Sequence, residues 1–375
     1  MLLALLPALL LAQTPGKISE NIRCDKNAEY GYALYLPSNY TPDKAWPLLL
    51  AFDPRARGLN AVERFAPAAE KYGWIIAGSN NSRNGDGKSS LQSLREVSGD
   101  IFAKYKINDK RIYAGGMSGG ARVATGLALS TGSFAGVIAA SAAFPEGKSP
   151  KSAPFPIFGT AGTEDFNWSE LYELDHELKS PHRVAIFEGG HIWLSADLAT
   201  QAVEWFELAA MRQGLKEKDP VLTKALFEIR AKQAETQQGK QAWESTRNIA
   251  ADFAGLDDRA PTFAERTKTL AKDKAVQAEL KKERAEYTKE QQLIEDTLRS
   301  EQLLNDPLTH KAGIDELRGK LTKLSKQADA ATDTADRRIA RRITRGLVNR
   351  INSNPKRDPE LARILDTLGL SRRPR

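Results

Sequence analysis

At 375 residues the chain is long enough for two domains. Its 55 Lys and Arg against 48 Asp and Glu leave a formal charge of +7, and the excess lies wholly in residues 214–375, which hold 34 basic and 26 acidic side chains. One cysteine, Cys24, excludes an internal disulfide and a metal cluster held by cysteines, and it reads as an incidental thiol.

Residues 1–15 read as a signal-peptide-like segment. Residues 1–12 are almost wholly apolar, too short to cross a bilayer as a mature helix, and break near Ala12-Gln13-Thr14-Pro15. No basic residue precedes the apolar run, but a periplasmic or secreted product is the expectation. From 16 to 213, strand-like and helix-like stretches alternate. Residues 30–36 read as an edge strand and 46–52 as a buried parallel strand, followed by a helix at 61–72, a strand at 74–78 and a helix at 90–106. Further strands are expected at 111–114, 134–143, 157–162 and 183–187, with helices at 121–130, 169–178 and 195–211. This alternation predicts an α/β fold with a doubly wound, mostly parallel sheet. Gly87-Lys88-Ser89 lacks the spacing of a phosphate-binding loop, so nucleotide binding is rejected there.

Gly116-Met117-Ser118-Gly119-Gly120 sits between a strand and a helix. A G-x-S-x-G pattern in that setting forms a strained turn that lifts a serine hydroxyl clear of the sheet, and the small flanking residues avoid clashes. Such a serine needs a base, and the base needs an orienting carboxylate. Of the four histidines, His176, His182, His191 and His310, only His191 follows a strand in a Gly-Gly turn. Asp165 ends the loop after the strand near 157, with Glu164 as the rival acid and Asp197 as a more remote one. The chain order Ser118, Asp165, His191 thus places each residue at the C-terminal end of a strand, where open α/β sheets carry their chemistry. Met117, Phe52 and Trp193 are candidate substrate contacts; Trp168 is another, with plain packing the alternative for both tryptophans. The polar loop at 79–83 reads as solvated, close to the rim of the site.

These turns resemble those of the α/β-hydrolases, among them the esterases grouped with dienelactone hydrolases, feruloyl esterases and polyhydroxybutyrate depolymerases. The resemblance covers about residues 28–213, within a domain drawn at 16–213, and implies Ser118 as nucleophile, His191 as base and Asp165 as its carboxylate. It implies Gly119 N–H as one oxyanion donor. Where relatives carry a His-Gly pair after the third strand, this chain reads Phe52-Asp53-Pro54-Arg55; Pro54 has no N–H, so Arg55 is the expected second donor and Phe52 the next choice. The implied activity is that of a serine hydrolase on carboxylic esters, small or polymeric, with no cofactor and no metal. A serine peptidase, or a non-catalytic binding module on the same fold, is the alternative.

Residues 214–375 read as a helical, basic region. Helices are expected at 221–238, 240–253, 263–299 and 314–330. Around Trp243, Ile249 and Phe253 the chain resembles one helix pair of the tetratricopeptide kind, with no second copy at fixed spacing. Arginines 337, 338, 341, 342, 345 and 350 and the end Ser371-Arg372-Arg373-Pro374-Arg375 form a basic tail. It suits an anionic surface or a protein partner, with a solvated helix face as the plainer reading. No aromatic residue follows Tyr287, so nucleic acid is not an expected partner.

Overall fold

In chain order the first elements are β1 (Ile18–Arg23), β2 (Gly31–Tyr35), β3 (Trp46–Phe52), α1 (Gly58–Tyr72), β4 (Ile75–Ser79), α2 (Gly87–Lys104), β5 (Ile107–Met117) and α3 (Gly119–Thr131). Then come β6 (Gly136–Ala140), β7 (Ile157–Gly162), α4 (Trp168–Glu177), β8 (His182–Phe187) and α5 (Ala196–Arg212). The computed structural model describes residues 13–85, 87–145, 150–354 and 358–370. The apolar start and the five terminal residues lie outside these.

The eight strands form one sheet in the order β1-β2-β4-β3-β5-β6-β7-β8. β1 and β4 each pair antiparallel with β2, whereas β3 pairs parallel with β4 and β5, and β5 with β6. All seven residues of β3 are buried, which is why that stretch carries a continuous apolar run rather than an alternating one. Helices α1 and α3 end on Gly73 and Gly132, both left-handed, so the chain turns back toward the next strand at low cost. Behind the sheet, the Glu207 carboxylate is buried, accepts the Trp74 indole N–H at 2.6 Å and pairs with Arg111; Trp74 stacks on Tyr113 at 4.4 Å. Burial pushes the Cys24 thiol up to about 11, with the nearby Asp100 adding to the effect, so it is protonated and unreactive at neutral pH.

The remaining elements are helical: α6 (Pro220–Thr236), α7 (Gly239–Asp252), α8 (Ala260–Leu270), α9 (Lys274–Gln302), a 3₁₀ turn at Leu303–Asn305, α10 (His310–Ala328), α11 (Ala335–Ser353) and α12 (Pro359–Thr367). The expected helix at 263–299 is two helices, because Asp273 caps a new N-terminus by accepting from the Ala275 and Val276 N–H groups. α7 and α8 form the helix pair expected near Trp243. The basic run holds a well-formed helix, α11, whose Leu347 and Ile351 pack with Ile314, Leu317 and Leu321 of α10 and with Leu361, Ile364 and Leu365 of α12. Among the described residues no helix is long and apolar enough to cross a membrane.

The chain divides into two compact units. The first is Met1–Gly159 with Leu178–Arg183 and Trp193–Ala210; the second is Thr160–Glu177 with Val184–Ile192 and Met211–Arg375. This division differs from the boundary at 213/214 expected from composition. The segments after β7 and around β8 group with the helices, because α11 bonds directly to the turn after β7.

Candidate active site

In the first unit, Ser118 is the single residue between β5 and α3, with φ 55° and ψ −123°. A non-glycine residue in that region stores backbone strain and persists only where its surroundings over-determine it. Here they do: Ser118 N–H donates to the Ala140 carbonyl at 2.8 Å, and the Ser118 carbonyl accepts from the Ala121 and Arg122 N–H groups at 3.0 and 3.1 Å. The flanking glycines are steric necessities. A Cβ on Gly116 would lie 2.2 Å from the Gly120 backbone, and one on Gly120 would lie 1.9 Å from the Phe52 carbonyl oxygen. Gly120→Ala should therefore abolish the turn, read as loss of soluble, folded protein. Gly99→Ala in α2, where a Cβ meets nothing within 4 Å, should be neutral or stabilising by about 0.5–1 kcal/mol in a urea titration.

In the second unit, His191 Nδ1 lies 2.7 Å from Asp165 Oδ1, and Asp165 is fully buried. The same oxygen accepts the Asn167 N–H at 2.9 Å. A carboxylate only accepts, so Nδ1 carries a proton, and in the neutral ring the lone pair is then on Nε2. Phe166 stacks on the imidazole at 4.0 Å and 27°, fixing the ring plane. The two turns are held together by backbone: Thr163 N–H donates to the Phe187 carbonyl and Glu164 N–H to that of Gly189, each at 2.8 Å. Glycine is required where they meet, since a Cβ on Gly162 would lie 2.3 Å from the Gly189 oxygen. Glu164, the rival acid, pairs instead with Arg341 and Arg345 of α11. Asp197 lies in the first turn of α5. His176 and His182 contact the Tyr172 and Ser180 carbonyls, and His310 pairs with Asp358.

The loop after β3 is organised by Asp53, which is fully buried. It accepts the Arg55 N–H at 2.8 Å, Arg57 Nε and Nη2 at 3.2 and 3.3 Å, and the Trp193 indole N–H at 2.8 Å. The Arg55 amide expected as an oxyanion donor is thus engaged by its own loop, because Asp53 closes an Asx turn two residues on. Trp193 is buried, edge-on to Phe65 at 6.5 Å. Phe52 and Met117 are buried too, and so is Trp168. Gly119, the other expected donor, opens α3 immediately after the serine.

The strand order, the antiparallel second strand and the serine at the β5–α3 turn settle the fold class. The fold is that of the α/β-hydrolases. No protein-family model matches the chain, and no curated protein matches it by sequence. Among solved structures it is similar to the fluorophosphonate-binding serine hydrolase F of Staphylococcus aureus, with substrate bound (15% identity over 51% of this chain and 98% of that one, TM-score 0.41). It is also similar to the feruloyl esterase module from Clostridium thermocellum complexed with sinapinate (15%, 50% and 86%, TM-score 0.41) and to the Bacillus cereus carboxylesterase (18%, 49% and 96%, TM-score 0.39). At this level of likeness nothing about substrate passes to the present chain.

Two further features of this α/β-hydrolase fold have no sequence motif. Asn84 bonds through its N–H to the Pro54 carbonyl at 3.0 Å, and its side chain lies so close to Gly119 that a Cβ there would be 1.7 Å from Oδ1. The residue just after the loop expected at the rim is therefore packed against the residue that follows the serine. The arginines of α11 are engaged inside the second unit by Glu164, Glu290, Glu301 and Asp333. Among the described residues no group of three or more His, Cys, Asp or Glu could hold a metal ion.

Proposed function

We propose that the chain is a serine hydrolase of carboxylic esters, with Ser118 as nucleophile, His191 as general base and then acid, and Asp165 as the carboxylate that orients and balances the imidazole. The observation that carries this reading is the pairing of a buried carboxylate with His191 Nδ1, in a chain where Ser118, at positive φ, sits at a strand–helix turn. His191 Nε2 takes the Ser118 proton as Oγ attacks the ester carbonyl. The resulting oxyanion is held by the Gly119 N–H, and the positive end of α3 adds to the field. The tetrahedral species collapses, the imidazolium protonates the leaving alcohol, and the acyl group stays on Ser118. Water, deprotonated by His191, then releases the acid. Proton transfer by a positioned base is worth about 10²–10⁴-fold and an oxyanion donor about 10²–10³-fold. With the Arg55 amide engaged, activated esters are the substrates this site turns over most readily. The apolar segment at 1–12 supports export of the enzyme in this reading.

The test is turnover of p-nitrophenyl acetate beside p-nitroacetanilide. Wild type should hydrolyse the ester in preference to the anilide, and Ser118→Ala should lose both activities. Equal ester rates for wild type and Ser118→Ala would overturn the assignment, and preference for the anilide would favour a peptidase.

A further inference from the structure

We propose that Arg342 and Arg345 of α11 are positioning residues for the Asp165–His191 pair, so that the helical region belongs to the catalytic machinery rather than being an appended module. This rests on the hydrolase reading above.

The Arg342 guanidinium is buried and its donors are committed. Nε and Nη2 bind both oxygens of Glu290 on α9 at 2.5–2.9 Å, and Nη1 donates to the Thr163 carbonyl at 2.6 Å. The same group lies over the Trp168 ring, 4.4 Å from its centroid. Thr163 and Trp168 bracket Asp165 in the chain, so one planar cation braces the turn on both sides of the catalytic acid. Arg345 Nη1 adds a bond to the Glu164 carbonyl at 3.2 Å and an ion pair to its carboxylate at 3.0 Å. It also lies beside Gly190, where a Cβ would sit 3.0 Å from Nη1. One face of α11 thus touches both the acid turn and the turn that carries the base.

Packing reinforces the bonds. Gly346, buried on α11, lies where a Cβ would be 3.4 Å from Phe166 Cβ, and Phe166 is the ring stacked on His191. α9 reaches the following helix as well: Tyr287 stacks on Tyr172 of α4 at 4.4 Å and donates to Glu173 at 2.7 Å. Among the described residues no arginine bonds to Asp165. The arginines act on main-chain carbonyls and on Glu164, which is what positioning requires, since a cation on Asp165 itself would compete with His191 for the carboxylate.

The test compares full-length wild type, Arg342→Lys and Arg345→Gln. A lysine keeps the charge beside Glu290 but cannot also reach the Thr163 carbonyl with a planar fork. Arg345 is partly exposed, so its replacement leaves the fold intact. Two readouts are taken: the downfield proton resonance of His191 Nδ1–H, and kcat and KM for p-nitrophenyl acetate. Positioning predicts that the resonance shifts or broadens, that kcat falls on the order of 10–100-fold for Arg342→Lys and less for Arg345→Gln, and that KM moves little. Folded variants with the wild-type resonance and kcat would overturn the proposal. If wild type shows no turnover while the resonance still responds in the variants, the positioning stands and the hydrolase reading fails.

Discussion

Asp165→Asn should lower kcat for an activated ester by roughly 10⁴-fold while the protein stays folded, the scale seen when a triad carboxylate becomes an amide. The carboxylate does two things for His191. It accepts the Nδ1 proton, which puts the basic lone pair on Nε2, and in the proposed mechanism it balances the imidazolium formed when the serine proton is taken. An amide is neutral, so the second contribution is lost outright, and an amide turned the wrong way loses the first as well. The fold is spared because an amide oxygen can still accept the Asn167 N–H that binds Asp165 Oδ1. Glu164→Gln should be far milder, since Glu164 faces Arg341 and Arg345 rather than the imidazole. Steady-state kinetics on p-nitrophenyl acetate decide the matter. An Asp165→Asn enzyme within tenfold of wild type would remove Asp165 from the mechanism.

Arg342→Ala should destabilise the protein by about 3–5 kcal/mol, the cost of stranding a charge in the interior. Its partner Glu290 is fully buried. Burial pushes the Glu290 carboxyl up from its ordinary value, and Arg342 is the group that opposes this. Replacing both, as Arg342→Met with Glu290→Met, should recover most of the loss, because a buried ion pair and an apolar pair of like volume differ little. The pH dependence has a definite sign. A carboxyl whose folded pKa is raised contributes stability below its unfolded pKa and loses it as pH rises through the folded one. The deficit of Arg342→Ala should therefore be smaller at about pH 5 than at about pH 8. Urea midpoints at the two pH values measure it, and a deficit that grows toward acid would contradict the assignment of Glu290 as the stranded charge.

The parts of the site readable from sequence are those set by local geometry. Ser118 is legible because glycines at 116 and 120 are demanded by a turn only five residues long. Asp165 and His191 are legible because each follows an apolar strand at the end where α/β sheets place their chemistry. The Asp53–Arg55 turn is also local, and an Asp two residues before an N–H was signal enough to doubt that amide as a free donor. The bond from Trp193 to Asp53 spans 140 residues and that from Arg342 to Glu290 spans 52, so nothing in the chain's spacing announces them. For the same reason the arginines of α11 read as a solvated or partner-binding tail. The helix itself was visible in the stripe Ile339, Ile343, Leu347 and Ile351, all buried, behind a Thr334 cap. The break between α8 and α9 was marked by Asp273 but is masked by helix formers on either side.

The most direct measurement is reaction of the folded, full-length protein with a fluorophosphonate probe, wild type beside Ser118→Ala, with the modified peptide located by mass spectrometry. A single adduct is expected, on Ser118, that is absent from Ser118→Ala. A folded wild type that takes no label, or one labelled at a different serine, would contradict the assignment.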